Sequence, residues 1–419
     1  MTKADRGRLL MFSPVMPLDR GNGLAMRAAF FLDAYAQRYD VDLVVAPVAG
    51  GGEINAFSSD RARRIEVLDV RVTDGHFRLA KSVRDVPTRL EALRQYGKPS
   101  LAASIGPAAH SLDAMLAGDD YVAVHVFRLY LAELAWRWLN MDGATRPRLI
   151  LDCDENDAEV HRRLAVMERR RGDLQRANEM DVEAEGFTGL ISKYVPQFDL
   201  VLAASRRELT SLGATAASQA VIPNAVIPPA ASQRRSSPSF TILFVGSLGY
   251  APNADAIAWF VSRVWRRLQR EMNFKVRLLI VGSHPSLAIR RLDASRGITV
   301  TGAVADVAPF YQEADLVVAP IRAGGGTRIK IIEAAAYRLP IVGTRVASEG
   351  TTFKPDIDML VADNEASFLN ACLRIANQRS TAKRVADRAY MRFKQDYSSE
   401  YWRRRIVRWV TDDGASGGT

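Results

Sequence analysis

At 419 residues the chain is too long for one ordinary hydrophobic core, and two domains are the natural expectation. Its 48% hydrophobic and 25% charged content is that of a globular protein in water, and no run of about 18 apolar residues is present to span a bilayer. The formal net charge of +10 favours phosphorylated ligands or anionic surfaces as partners and says nothing about fold.

The amino terminus, MTKADRGRLLMFSP, runs straight into a strand-like segment and has no signal-peptide anatomy. RLLMFSP (8–14) predicts a strand, followed by the loop PLDRGNG and a helix from about Leu24 to Arg38. VDLVVAP (41–47), YVAVHVF (121–127), RLILDCD (148–154), DLVLAAS (199–205) and QAVIPNAV (219–226) continue the strands. The stretch 74–118 is more helical and less regular. Strands that are apolar throughout, separated by helices, imply a parallel sheet covered on both faces. PPAASQRRSSPS (228–239) then reads as an interdomain linker.

The alternation restarts with TILFVGS (241–247) and a helix from about Asn253 to Arg270. VRLLIVG (276–282), GITVTGAV (297–304), DLVVAPI (315–321), LPIVGT (339–344) and MLVAD (359–363) complete a second series, and two long helical stretches end the chain. Both halves read as doubly wound α/β units, whose ligands bind beyond the carboxyl ends of the strands. The boundaries drawn from this pattern are 1–230, a linker at 231–239, 240–396, and a terminal helix at 397–419. Cys153 and Cys372 lie far apart in apolar runs and fit no metal spacing, which reads as buried thiols in a reducing cytoplasm.

The strongest chemical signal is GGGTRIKIIE (324–333), placed between a strand end and a helix start. Glycines let a backbone approach a ligand closely, and the free N–H groups of a helix start favour an anion. Thr327 is a candidate N-cap. Arg328 and Lys330 add two cations in the first turn, where they oppose the helix dipole unless a negative group arrives. A diphosphate fits best. Glu333 is phased beside the buried face and can accept from the adjacent hydroxyls of a ribose. The plainer alternative is an ordinary loop followed by an ordinary helix residue.

With SEG at 348–350, the segment GGGTRIKIIEAAAYRLPIVGT resembles the donor-binding segment of retaining GT-B glycosyltransferases of family four, the glycosyl transferases group 1. FVGSLGYAPNADAIAWF (244–260) is similar to the glycine loop that opens the family's second domain. VIPNAV (221–226) is similar to the motif that closes the first, and LVLAASRRELTSLG (200–213) to the strand and helix before it. The resemblance implies two Rossmann-like domains facing across a cleft, with the terminal helix crossing back to the first. The first domain would bind the acceptor and the second a UDP- or GDP-sugar. The sugar would be transferred with retention, with no metal and no other cofactor.

On the same resemblance Arg328 and Lys330 hold and stabilise the diphosphate with backbone N–H groups of Gly325 and Gly326, and Glu333 binds the ribose. Gly324, Thr327, Gly246, Ser247, Gly302 (opening the base-reading loop 302–315) and Glu349 complete the donor set. His125, near the end of a buried strand, reads either as a satisfied core histidine or, on the resemblance, as a contact of the transferred sugar. Arg20, Gly21 and Gly23, in the loop after the first strand, read either as an ordinary βα turn or as contacts of the acceptor. Two departures stand out. Gly325 occupies the position of the family's first Glu, and Ser247 and Asn253 stand where its glycine loop carries Arg and Lys.

Arg27 reads either as a surface residue or as a partner for an acidic acceptor. His284, on a strand-to-helix turn, would lie near the base. Asp152, Asp154, Glu155 and Asp157 in LDCDENDAE read as strand-end and helix-cap acids rather than as metal ligands. The basic runs 161–176 and 401–410 read as solvated helix faces, or as surfaces against anionic headgroups at the inner face of a membrane. In the last helix Tyr401, Ile406 and Trp409 are expected inward and the arginines outward. The acceptor implied is a saccharide or lipid-linked saccharide, as in polysaccharide biosynthesis. Nucleic acid is not expected, since no recognisable binding module accompanies the charge. A catalytically silent partner subunit, or a sugar-nucleotide hydrolase or 2-epimerase on the same fold, are the alternatives.

Overall fold

The computed structural model describes residues 6–116, 119–143, 145–213, 218–227, 239–294, 297–326 and 328–410. Two compact units partition the chain, Met1–Pro223 with Tyr401–Thr419, and Asn224–Glu400.

The first unit is built on seven parallel strands, β1 (Arg8–Ser13), β2 (Asp40–Val45), β3 (Ala62–Val67), β4 (Ala123–Phe127), β5 (Arg148–Asp154), β6 (Leu200–Ala203) and β7 (Ser218–Val221). Their order is β3-β2-β1-β4-β5-β6-β7. β1 therefore lies between β2 and β4, and the chain leaves it in opposite directions on its two sides. Helices cover both faces, so β4 is buried along its whole length. Packed against one face are Phe12, Val124, Val126, Leu149 and Leu151 with Trp138 and Phe187.

β3 is absent from the sequence-predicted strands. Its sequence, ARRIEV, carries three charges in six residues because it is an edge strand, only partly covered along its length. The helix after β1, Gly23–Ala36, starts where Asn22 accepts from the Ala25 N–H at 2.8 Å.

Six parallel strands form the second unit: β8 (Phe240–Val245), β9 (Val276–Val281), β10 (Ile298–Gly302), β11 (Leu316–Ala319), β12 (Ile341–Gly343) and β13 (Leu360–Val361). The order β10-β9-β8-β11-β12-β13 repeats the arrangement of the first sheet, with β8 between β9 and β11. The helix predicted from Asn253 begins at Ala251, with Pro252 in its first turn, and continues through a π-helical turn, Phe260–Trp265, to Glu271. Of the segment read as a linker, 231–238 lies outside the described residues; the compact units divide earlier, between Pro223 and Asn224.

The last described helix is Ser399–Val410. From Tyr401 onward it groups with the first unit, where Arg403 pairs with Asp33 at 2.8 Å and Ile406 is buried. Tyr401, expected inward, is exposed, and the Trp409 side chain lies outside the described residues. Among the described residues no helix is long and apolar enough to cross a membrane.

Candidate functional site

In a doubly wound sheet, loops that follow two adjacent strands and leave in opposite directions open a crevice at the carboxyl edge. In the second unit those strands are β8 and β11. Both predicted glycine loops follow them, Gly246–Ser247 after β8 and Gly324–Gly326 after β11, and helix Ile329–Ala336 begins just beyond.

Three glycines make the β8 side dense. The Gly282 N–H donates to the Gly302 carbonyl at 3.2 Å, and a Cβ on Gly282 would run into the Gly246 carbonyl oxygen. Gly246, Gly282 and Gly302 thus abut at the ends of neighbouring strands. Gly282 was missed by sequence reasoning, although Val281-Gly282-Ser283 repeats Val245-Gly246-Ser247 and could have flagged it. On the β11 side Gly324 has φ 98° and Gly326 φ 74°. A Cβ on Gly324 would come 2.9 Å from the Tyr250 hydroxyl and 3.0 Å from Pro252 Cγ.

Arg328 bends back over its own loop. Its Nη2 donates to the Gly324 carbonyl at 2.9 Å and its Nη1 to the Gly325 carbonyl, while its buried Nε has no hydrogen-bond partner. The guanidinium thus braces the Gly324–Gly325 turn. Lys330, the second residue of the helix, is 7% exposed. Its Nζ donates to Asn253 Oδ1 at 2.7 Å and sits 4.3 Å from the centre of the Phe244 ring. Burial, reinforced by Arg328, lowers its pKa from 10.5 to about 7.

Glu333 accepts from the Tyr311 hydroxyl at 2.7 Å, and Tyr311 stacks on Tyr337. Burial raises the Glu333 pKa from 4.5 to about 7, against the opposing effects of Tyr311 and Lys330. Thr327 lies outside the described residues. Glu349 follows the short helix Arg345–Ser348 beyond β12, the strand next to β11. His284 occupies the turn after β9, with φ 55° and its Cβ against Gly249.

The first unit treats its strand ends differently. Arg20 is exposed beside Asp19, Gly21 has φ 105° with open space where a Cβ would stand, and Gly23 is the first residue of its helix. Arg27 is neither on the surface nor open to a ligand. It is fully buried, bidentate to Asp152 at 2.8 Å for each bond, and donates to the Ile222 carbonyl at 2.8 Å.

His125 is packed as a core histidine. It lies in the middle of β4 rather than at its end and is wholly buried. Nδ1 is 2.7 Å from the Tyr35 hydroxyl, and Phe31 packs edge-on against the ring. Burial lowers its pKa from 6.5 to about 3, so the ring is neutral. The residue that does stand at the end of β4 is Arg128, in left-handed backbone at φ 81°. It bonds to Asp154, Glu155 and Asp157, so the acid-rich segment that ends β5 and follows it serves two buried arginines.

The glycosyl transferases group 1 family matches residues 239–378, the stretch that holds both glycine loops, Lys330 and Glu333. A Klebsiella pneumoniae protein named "uncharacterized 44.6 kDa protein in cps region" is 22% identical over 167 residues. That match covers 38% of this chain and 43% of the relative, so less than half of the relative's length is spanned.

Solved structures with the same fold cover nearly the whole chain. Sucrose-phosphate synthase from Thermosynechococcus elongatus superposes with a TM-score of 0.69 at 16% identity, over 98% of this chain and 100% of its own. S. aureus TarM, solved with fondaparinux, alpha-GlcNAc-glycerol and UDP, has a TM-score of 0.63 at 9% identity, over 97% and 100%. Anabaena HepE, solved with UDP and glucose, has a TM-score of 0.56 at 13% identity, over 97% and 100%. The matched residues 239–378 thus hold the second sheet of a GT-B fold.

Proposed function

We propose that the protein is a retaining, metal-independent glycosyltransferase of the hexosyltransferase class. It moves a sugar from a UDP- or GDP-sugar to a saccharide or lipid-linked saccharide, and serves polysaccharide biosynthesis. The carrying observation is the β8–β11 crevice, where two glycine loops, two buried cations and a buried carboxylate come together without any ion pair between a carboxylate and Arg328 or Lys330 among the described residues. A pyrophosphate fits the loop N–H groups and the two cations. Tyr311 holds Glu333 Oε2, which leaves Oε1 to accept from ribose hydroxyls.

Departure of the nucleoside diphosphate is assisted by the positive charge held against the loop, and the acceptor hydroxyl attacks from the same face, giving its proton to the leaving phosphate. The UDP complexes of HepE and TarM support the donor class, and the cps-region relative supports the pathway class. The basic face of helix Ser399–Val410, with Arg404 and Arg408 exposed, supports work at an anionic inner membrane surface.

The test is calorimetric titration with UDP and with GDP, in chelator, of the wild type and of Arg328→Ala/Lys330→Ala. Micromolar binding of one nucleotide, weakened about a hundredfold or more in the double variant, is the expected result. Failure of the folded wild type to bind either would sink the proposal. Binding without consumption of the matching nucleotide sugar, tried over a panel of saccharide acceptors, would indicate a silent partner subunit.

A further inference from the structure

The glycine loop of group 1 domains is expected to carry its own cations, and here Ser247 and Asn253 stand in that place. Asn253 faces inward from the first turn of helix Ala251–Trp259, towards a residue 77 positions away. Its Oδ1 accepts from Lys330 Nζ at 2.7 Å, and its Nδ2 donates to the Ser247 carbonyl at 2.9 Å. The amide orientation is forced, because an ammonium can only donate and a carbonyl can only accept. Gly246 fits between them: a Cβ there would lie 2.9 Å from Asn253 Nδ2 and 2.9 Å from Lys330 Nζ.

We infer that Asn253 is the positioning residue of the donor site, a neutral clamp that aims the Lys330 ammonium along the Gly246–Ser247 loop and ties that loop to the Gly324–Gly326 side. The inference rests on the nucleotide-sugar reading of the crevice. Its physical content is neutrality. An aspartate at 253 would grip Lys330 more strongly but cancel its charge. The amide holds the ammonium with one hydrogen bond and leaves the charge and the remaining N–H donors for a pyrophosphate. Phe244 backs the ammonium from β8, and Arg328 and Glu333 flank it on its own segment. Tyr311, from helix Ala308–Glu313, and Asp306 act on Lys330 only through Glu333. Burial already lowers the Lys330 pKa to about 7, so changes at position 253 are readable as shifts along the pH axis.

The test compares wild type, Asn253→Ala and Asn253→Asp, using whichever of UDP and GDP the wild type binds, from pH 6 to 9. The matching nucleoside, titrated by NMR, is the control, and thermal unfolding checks folding. At pH 7 both variants bind the diphosphate about tenfold more weakly, while the nucleoside binds within about twofold of wild type. The decline of diphosphate affinity with rising pH moves in opposite directions. It begins at lower pH in Asn253→Ala, which removes the acceptor from the ammonium, and at higher pH in Asn253→Asp, which adds an opposite charge. The clamp is overturned if affinity and pH profile match wild type in either folded variant. It is also overturned if nucleoside and diphosphate affinities fall by the same factor, the mark of a merely structural role. A wild type that binds neither nucleotide overturns the donor-site reading itself, and the clamp with it.

Discussion

The carboxyl edges of the two sheets have the same topology and opposite electrostatics. In the first unit the arginines near the strand ends are met by acids. Arg27 pairs with Asp152, and Arg128 with Asp154, Glu155 and Asp157. In the second, the two cations are anchored on neutral acceptors, Arg328 on the Gly324 and Gly325 carbonyls and Lys330 on the Asn253 amide. A guanidinium buried against a carboxylate has its charge compensated within the fold, and removing one partner leaves the other buried and uncompensated. A cation held by carbonyls is not neutralised by a carboxylate partner, and the cost of its burial appears as the lowered pKa of Lys330. An incoming diphosphate would relieve that cost. The comparison therefore separates a structural edge from the proposed binding edge better than glycine content does.

The largest expected effect that tests this contrast is on stability. Arg27→Ala leaves Asp152 buried without its partner and should lower the unfolding free energy by about 3–5 kcal/mol in urea titration. Nucleotide affinity of the remaining folded protein should be unchanged. A loss below about 1 kcal/mol would mean that the first edge is not built on this pair.

Next comes a pH signature of the second edge. Lys330 holds its proton less tightly when folded, about 7 against 10.5, so between those values the unfolded chain carries more protons and stability rises with pH. Glu333 is the reverse: its folded value of about 7 lies above 4.5, so stability falls as pH rises from 4.5 to 7. These two groups should together give a minimum near neutrality, with limbs on the order of a few kcal/mol. Urea midpoints from pH 5 to 9 should lose the rising limb in Lys330→Met and the falling limb in Glu333→Gln. Unchanged slopes in both variants would show that neither group is desolvated.

The smallest effect belongs to Arg403→Ala. Its pair with Asp33 is partly solvated, with side-chain exposures of 30% and 17%, and should contribute no more than about 1 kcal/mol. A larger loss in the same urea titration would make the terminal helix a principal support of the first unit.

Much of this architecture is legible in the sequence because apolar runs report burial locally. Twelve strands were predicted from such runs and correspond to the strands of the two sheets other than β3, whose charges conceal it at an edge. The GGGTRIKIIE segment was legible for the same reason: strand end, glycines, cations and helix start are contiguous. His125 was ambiguous, because a polar residue in an apolar strand signals burial or function alike. Tyr35, its hydrogen-bond partner, lies 90 residues away.

Local order along the chain, namely which segments are strands, where glycines interrupt them and which residues open a helix, was determined by the sequence alone, since such preferences act over a few residues. Partner choice was decided only by the tertiary structure. Arg27 meets Asp152 across 125 residues and Lys330 meets Asn253 across 77, and nothing local distinguishes an arginine that will meet a carboxylate from a lysine that will meet a neutral amide. Long side chains find their partners through sheet order, and sheet order emerges only when every strand is in place.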